Sequence, residues 1–198
     1  MTSAPSPEAR PRYDQEMLLE VAVQVFTERG YDGTSMEDLS RAAGLSKSSL
    51  YHHIDSKEQL LRLGLDRAVH PMLAILAEEE ATSGPAIERL AHVLRRMVLL
   101  LAAELPYVTL LLRVHGNTAT ERWALEQRRT FDRKVAALVR AAIAEGDVRD
   151  GVDARTTARL AFGMVNSLVE WYRPRSGAAA TRMADQIVAI VFEGICSS

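Results

Sequence analysis

Between positions 46 and 57 the chain reads Ser-Lys-Ser-Ser-Leu-Tyr-His-His-Ile-Asp-Ser-Lys. These residue types suit nucleic acid. Lys47, Ser48 and Ser49 are flexible or small and polar, able to approach base edges without steric conflict. The hydroxyl of Tyr51 and an imidazole N–H from His52 or His53 suit phosphate oxygens. Lys57 opens the next helix, where its ammonium and the free backbone N–H groups would grip the same phosphate. Taken singly, Lys47 and Lys57 read as solvated charges and Tyr51 as a packed aromatic. Their grouping is what points to DNA.

Catalysis has no comparable support. His70, His92 and His115 are scattered, with no metal-ligand spacing. Cys196 stands two residues from the end with no paired histidine. No glycine-rich loop follows a strand. The sequence therefore predicts no enzyme, no metal and no cofactor.

The elements that position residues 46–57 are helical. Leu18, Val21, Ala22, Val25 and Phe26 stripe one helix, which Gly30 ends. Thr34 reads as the N-cap of a second, with Met36, Leu39 and Ala43 inward. Gly44 turns the chain and Ser46 caps a third short helix holding Leu50 and Tyr51. Two short helices joined by Gly-Leu-Ser make a helix-turn-helix, whose second helix enters the major groove. Met36, Leu39, Ala43, Leu45 and Leu50 are its expected core.

Helical period continues to the end. The expected helices are residues 57–81, kinked near Pro71; a helix carrying Ile87, Leu90, Leu94, Val98 and Leu101; a short one ending near Arg113; and 118–145, 153–171 and 180–195. No segment alternates with period two. The predicted fold is all-α: a flexible arm over 1–13, a three-helix DNA-binding domain over 14–56, and a larger helical ligand-binding and dimerisation domain over 57–198.

Hydrophobic residues make up 47% and charged residues 25% of 198, enough apolar surface for a folded globular protein. The longest clean apolar run, Met97–Ala103, is far short of the roughly 18 residues of a membrane span. The start lacks a secretory pattern, and a single cysteine excludes an internal disulfide. A cytoplasmic protein with no membrane partner is expected. Net charge is −2, so no global basic excess argues for DNA. Residues 1–60 hold six Arg/Lys (10, 12, 29, 41, 47, 57) against ten Asp/Glu (8, 14, 16, 20, 28, 32, 37, 38, 55, 58). Between Leu39 and Ile54 only Arg41 and Lys47 are charged. That narrow footprint predicts weak non-specific binding and dependence on dimerisation and base contacts. Arg10 and Arg12 are candidates for minor-groove contacts.

Five short motifs occur in order: Phe26-Thr27-Glu28-Arg29-Gly30-Tyr31, Thr34-Ser35-Met36, Ala42-Ala43-Gly44-Leu45-Ser46-Lys47, Leu50-Tyr51-His52-His53-Ile54 and Ser56-Lys57-Glu58-Gln59-Leu60. Over about residues 14–62 they resemble the N-terminal domain of the TetR family of bacterial transcriptional repressors. Position 54, usually aromatic in that family, is Ile54 here, a packing change. Thr34, inside the second motif, joins Lys47, Ser48, Ser49, Tyr51, His52, His53 and Lys57 as the DNA-binding set. The resemblance also implies a dimer interface in the last two helices and a ligand pocket in those before them.

For the interface the candidates are Met183, Ile187, Ile190, Val191 and Gly194. The pocket is expected to be lined by apolar Leu73, Leu76, Val98, Leu101, Trp123, Phe131 and Phe162. Its polar candidates are Arg113, His115, Arg128 and Asn166. Arg128 lies on the apolar stripe of its helix, where it must snorkel, pair with an acid or meet an anionic ligand. The segment Glu170-Trp171-Tyr172-Arg173-Pro174 and the ending Ile190-Val191-Phe192-Glu193-Gly194-Ile195 look like a TetR subgroup of lipid, steroid and aromatic-acid regulators responding to acyl-CoA thioesters. The functional expectation is a homodimeric repressor on a palindromic double-stranded DNA operator, released by a small-molecule effector such as an acyl-CoA or an apolar acid. Two other readings stay open here: a helical small-molecule carrier with a vestigial DNA-binding domain, and a constitutive DNA binder without effector.

Overall fold

The structure is a computed structural model that describes residues 15–173 and 176–195, the last two without their side chains. The chain divides into two compact units, residues 1–60 and 61–198. Among the described residues there are helices and no strand.

The first unit holds α1 (Gln15–Arg29), α2 (Met36–Ala42), α3 (Lys47–Tyr51) and the first turn of α4 (Lys57–Ile75). The stripe of α1 buries Leu18, Leu19, Ala22, Val23, Val25 and Phe26. Leu39, Ala43, Leu50 and Ile54 are also buried, whereas Met36 and Leu45 are half-buried. The N-cap of α2 is Ser35, not Thr34. Ser35 Oγ accepts from the Asp38 N–H at 3.1 Å, and the Asp38 carboxylate accepts from the Ser35 N–H at 3.0 Å. This reciprocal box satisfies two donors that the helix itself leaves unpaired. Thr34 instead turns inward, its Oγ1 donating to the Gly30 carbonyl at 2.8 Å.

The second unit continues α4 and adds α5 (Glu79–Thr82), α6 (Ala86–Ala103), α7 (Leu105–Arg113), α8 (Ala119–Glu145), α9 (Ala154–Trp171) and α10 (Gly177–Ile195). The expected single helix over 57–81 is two. Pro71 is taken up inside α4, which ends at Ile75. Leu76, Ala77 and Glu78 close three-residue turns onto Leu73, Ala74 and Ile75, and Glu78 then goes extended. Its carboxylate accepts from Arg96 of α6 at 2.8 Å and lies 2.6 Å from the ring nitrogen of His92.

Helix α6 is central and packs against α5, α7, α8, α9 and α10. It buries Leu90, Val93, Leu94, Met97, Val98 and Leu101, each such side chain worth roughly 1.5–3 kcal/mol. At 27 residues α8 is the longest helix described. Thr118 and Glu121 cap its start with a second reciprocal box, and Gly146 closes its end at φ +85°, a conformation that a side chain would strain.

Candidate nucleic-acid interface and ligand cavity

Ser46 Oγ accepts from the Ser49 N–H at 3.1 Å and so starts α3. Gly44, at φ +66°, makes the turn before it, and the Leu45 N–H donates to the Ser40 carbonyl at 2.9 Å. The only large apolar residue of α3 to be buried is Leu50. That anchor turns the rest of the short helix outward. Lys47, Ser48, Tyr51, His52 and His53 are exposed, and Ser49 is half-buried. Tyr51 keeps 46% of its surface, unusual for a large aromatic and unlike a packed one. Arg41 is engaged by Glu37 and Asp38, each at 3.3 Å. Within α2–α3, Lys47 therefore carries the positive charge that no described carboxylate engages. Hydrogen bonds from Ser35 pull the Asp38 carboxyl below its ordinary value, so it stays charged beside Arg41.

Two members of the expected DNA-binding set face inward. Thr34 is 2% exposed. The ammonium of Lys57 donates to the Thr34 carbonyl at 2.7 Å and the Tyr31 carbonyl at 2.9 Å, and lies 4.1 Å from the centre of the Tyr31 ring. With two of its three N–H groups committed, Lys57 ties the α1–α2 connection to the start of α4. Its spacing from Ser46 gave no sign of this, because both acceptors are backbone carbonyls more than 20 residues away in sequence.

In the second unit a small cavity of about 50 Å³ is lined by α4, α6, α7, α8 and α9. Four of the expected pocket residues reach it: Arg128, Phe131, Phe162 and Asn166. Phe131 and Phe162 meet edge to face at 5.2 Å. Arg128 donates to the Leu111 carbonyl at 3.3 Å. Burial lowers the pKa of its guanidinium, and Asp132 opposes that shift. Burial likewise raises the Asp132 carboxyl, against the pull of Arg128 and Arg159.

The other expected pocket residues lie elsewhere. Val98 and Leu101 are wholly inside the packed core. Leu73 is half-buried outside the cavity lining, and Leu76 borders a separate surface groove with Lys134 and Leu138. Arg113 and His115 are exposed, and Trp123 stacks under the Arg62 guanidinium at 3.6 Å. Met72, Met97, Leu100, Val108, Leu111 and Leu112 complete the cavity with Ala68 and Asp132. The signal for these was the largely apolar character of α7 and the flexible methionines on α4 and α6, side chains suited to irregular space.

On α10, Ile187 and Val191 are buried within the protomer and Met183 is half-buried, whereas Ile190 keeps 62% of its surface. The surroundings of Gly194 lie outside the described residues. Beside Ile190 in character, α9 exposes Leu160 at 66%, Trp171 at 59% and Met164. No helix of the described residues is long and apolar enough to cross a membrane, and no group of three metal-ligating side chains occurs among them.

A helix-turn-helix with an outward-facing second helix, followed by a larger helical unit, is the architecture of a DNA-binding transcriptional regulator. Residues 18–63 match the family described as bacterial regulatory proteins, tetR family, and residues 83–195 match the tetracyclin repressor-like C-terminal domain. The chain belongs to the TetR family. It is 58% identical to a TetR-family member from Streptomyces coelicolor, SCO3833, over 100% of this chain and 96% of that one, with a TM-score of 0.86. It is 28% identical to the HTH-type transcriptional repressor KstR2 of Rhodococcus jostii, covering 91% of this chain and 90% of KstR2. A structure of AibR in complex with isovaleryl coenzyme A and operator DNA is 25% identical, covering 90% of this chain and 97% of AibR, with a TM-score of 0.73.

Proposed function

We propose that the chain is a transcriptional repressor acting in the cytoplasm as a homodimer. Each subunit would read one half of a palindromic operator with α3. The observation that carries this reading is the outward face of α3, where Lys47, Ser48 and Tyr51 are exposed on a helix fixed by Ser46 and Leu50. Tyr51 and Lys47 would hold phosphates, and Ser48 would approach base edges. The exposed Leu160 and Met164 of α9 and Ile190 of α10 support dimerisation, because large apolar side chains left in water are candidates for a protein interface. The second unit has no proposed catalytic role.

The effector would be an apolar molecule with an anionic or thioester head, of the acyl-CoA class. The cavity supports this with aromatic and aliphatic walls and one half-buried guanidinium, Arg128, in its lining. AibR, a structural relative in complex with isovaleryl coenzyme A, supports the same direction. At about 50 Å³ the cavity is closed down, so an acyl chain must widen it. A ligand that binds the free protein better than the operator-bound form releases DNA by linkage.

The test is operator release in a gel shift with a panel of acyl-CoA thioesters and the corresponding free acids. Arg128→Ala should weaken the response more than Lys134→Ala. Equal losses, or release only by cationic lipophilic compounds, would mean the pocket has the opposite sign.

A further inference from the structure

We propose that the groove between α8 and α9 binds a multiply phosphorylated group, such as the diphosphate and phosphorylated sugar of a nucleotide-bearing thioester. The groove encloses about 420 Å³ and gathers five guanidinium groups: Arg129, Arg133 and Arg140 from α8, Arg155 and Arg159 from α9. Asp132 is the one acid in its lining. Glu126 stands just outside, paired with Arg129 at 3.5 Å and Arg133 at 3.0 Å. Arg140, Arg155 and Arg159 form no ion pair with a described residue. Asp153 lies near Arg140 and Arg155, and with all three carboxylates counted against five arginines the groove keeps a positive excess, on a chain whose net charge is −2.

The spacing explains the convergence. Positions 129, 133 and 140 fall on one stripe of α8, and 155, 159 and 162 on one stripe of α9. The two helices run antiparallel, with Asp132 near Arg159 at one end and Arg140 near Asp153 at the other. At 1.5 Å per residue the arginines of α8 span about 16 Å. That length and volume suit an extended ligand rather than a single small anion. Planar guanidinium forks engage phosphate oxygens in pairs, a geometry lysine does not offer.

The groove adjoins the apolar cavity, since Asp132 and Phe162 line both. One molecule would place its apolar part in the cavity beside Phe131 and Phe162 and its phosphates along the arginines. Leu160, Met164 and Trp171 occupy a different face of α9, more than a quarter turn away, so a dimer built on them leaves the groove open. The assignment of the two ends to one ligand rests on the effector reading above. The phosphate site itself does not.

The experiment is calorimetric titration of the full-length protein with inorganic pyrophosphate, free coenzyme A and isovaleryl coenzyme A. Each is repeated on Arg155→Gln, Arg159→Gln and, as a control outside the groove, Lys134→Gln. Circular dichroism checks that each variant is folded. Expected are binding of all three probes to the wild type and a loss of about tenfold in affinity for each arginine variant, with Lys134→Gln unchanged. No binding of any phosphate-bearing probe, or equal affinity in all four proteins, overturns the proposal. If the probes bind in the groove and never release operator, the phosphate site stands and the effector reading fails. If only an unphosphorylated acid binds and releases operator, the groove proposal fails and an apolar-acid effector survives.

Discussion

The ammonium of Lys57 donates a 2.7 Å hydrogen bond to the backbone carbonyl of Thr34, 23 positions earlier. A second bond to the Tyr31 carbonyl and the ring of Tyr31 complete its surroundings. The residue thus holds the α1–α2 connection against the first turn of α4. From sequence alone Lys57→Ala is a surface change that leaves the fold intact and weakens DNA binding. The geometry predicts a loss of about 1.5–3 kcal/mol, the range for hydrogen bonds from a charged donor, as two part-buried carbonyls lose their partner. Urea denaturation of wild type and Lys57→Met checks it, and equal midpoints would contradict it.

Lys47 and Tyr51 should behave in the opposite way. Both are exposed, and neither side chain holds a described element in place. Lys47→Ala and Tyr51→Ala are expected to change stability by less than about 0.5 kcal/mol. Operator affinity should fall in both, and Lys47→Ala should reduce the salt dependence by about one unit of slope. Anisotropy titrations at several salt concentrations measure both quantities.

Ile187 and Ile190 are alike in sequence and unlike in place. Ile187 is buried inside the protomer and Ile190 is mostly exposed. Ile187→Glu buries an unpaired charge within one chain and should cost about 3 kcal/mol or more of folding stability. Ile190→Glu should leave a folded protein that sediments as a monomer. A folded dimer in the second case would place the interface away from this face of α10.

Glu78 joins the segment before α5 to α6. Hydrogen bonding from Arg96, with a lesser share from His92, lowers its carboxyl below the ordinary 4.5, against the opposing effect of burial. A depressed acid contributes stability that is fully present above its unfolded value and is lost as pH falls through the folded one. The difference in stability between wild type and Glu78→Gln should therefore still be present at about pH 5. Below about 4.5 it should shrink. Its size at neutral pH should be about 1–3 kcal/mol. A difference that grows as pH falls below about 4.5 would contradict the assignment.

Much of the fold is legible because its signals are local. Gly30 and Gly44 mark turns, Ser46, Thr118 and Asp153 cap helices, and the apolar period of α6 and α9 gives their buried faces. What sequence spacing misplaces depends on distant partners. The break after Ile75 comes with an extended Glu78 held by Arg96, 18 positions on. Lys57 looked free because its acceptors are backbone carbonyls. Val98 and Leu101 read as pocket residues because an apolar stripe does not say whether neighbouring helices meet it or leave space. The arginines of α8 and α9 lie too far apart in sequence for spacing to group them, and only the antiparallel pairing brings them together.

The central claim is that α3 reads a specific DNA sequence. Selection of bound duplexes from a random-sequence library by the full-length protein tests it most directly. The account predicts enrichment of an inverted repeat with half-sites about one helical turn apart, or a multiple of that. Affinity for the enriched duplex should exceed that for unrelated DNA by about a thousandfold or more, and Tyr51→Ala should lose most of that margin. Recovery of no common sequence, or an enriched sequence that Tyr51→Ala and Lys47→Ala bind as tightly as wild type, would contradict it.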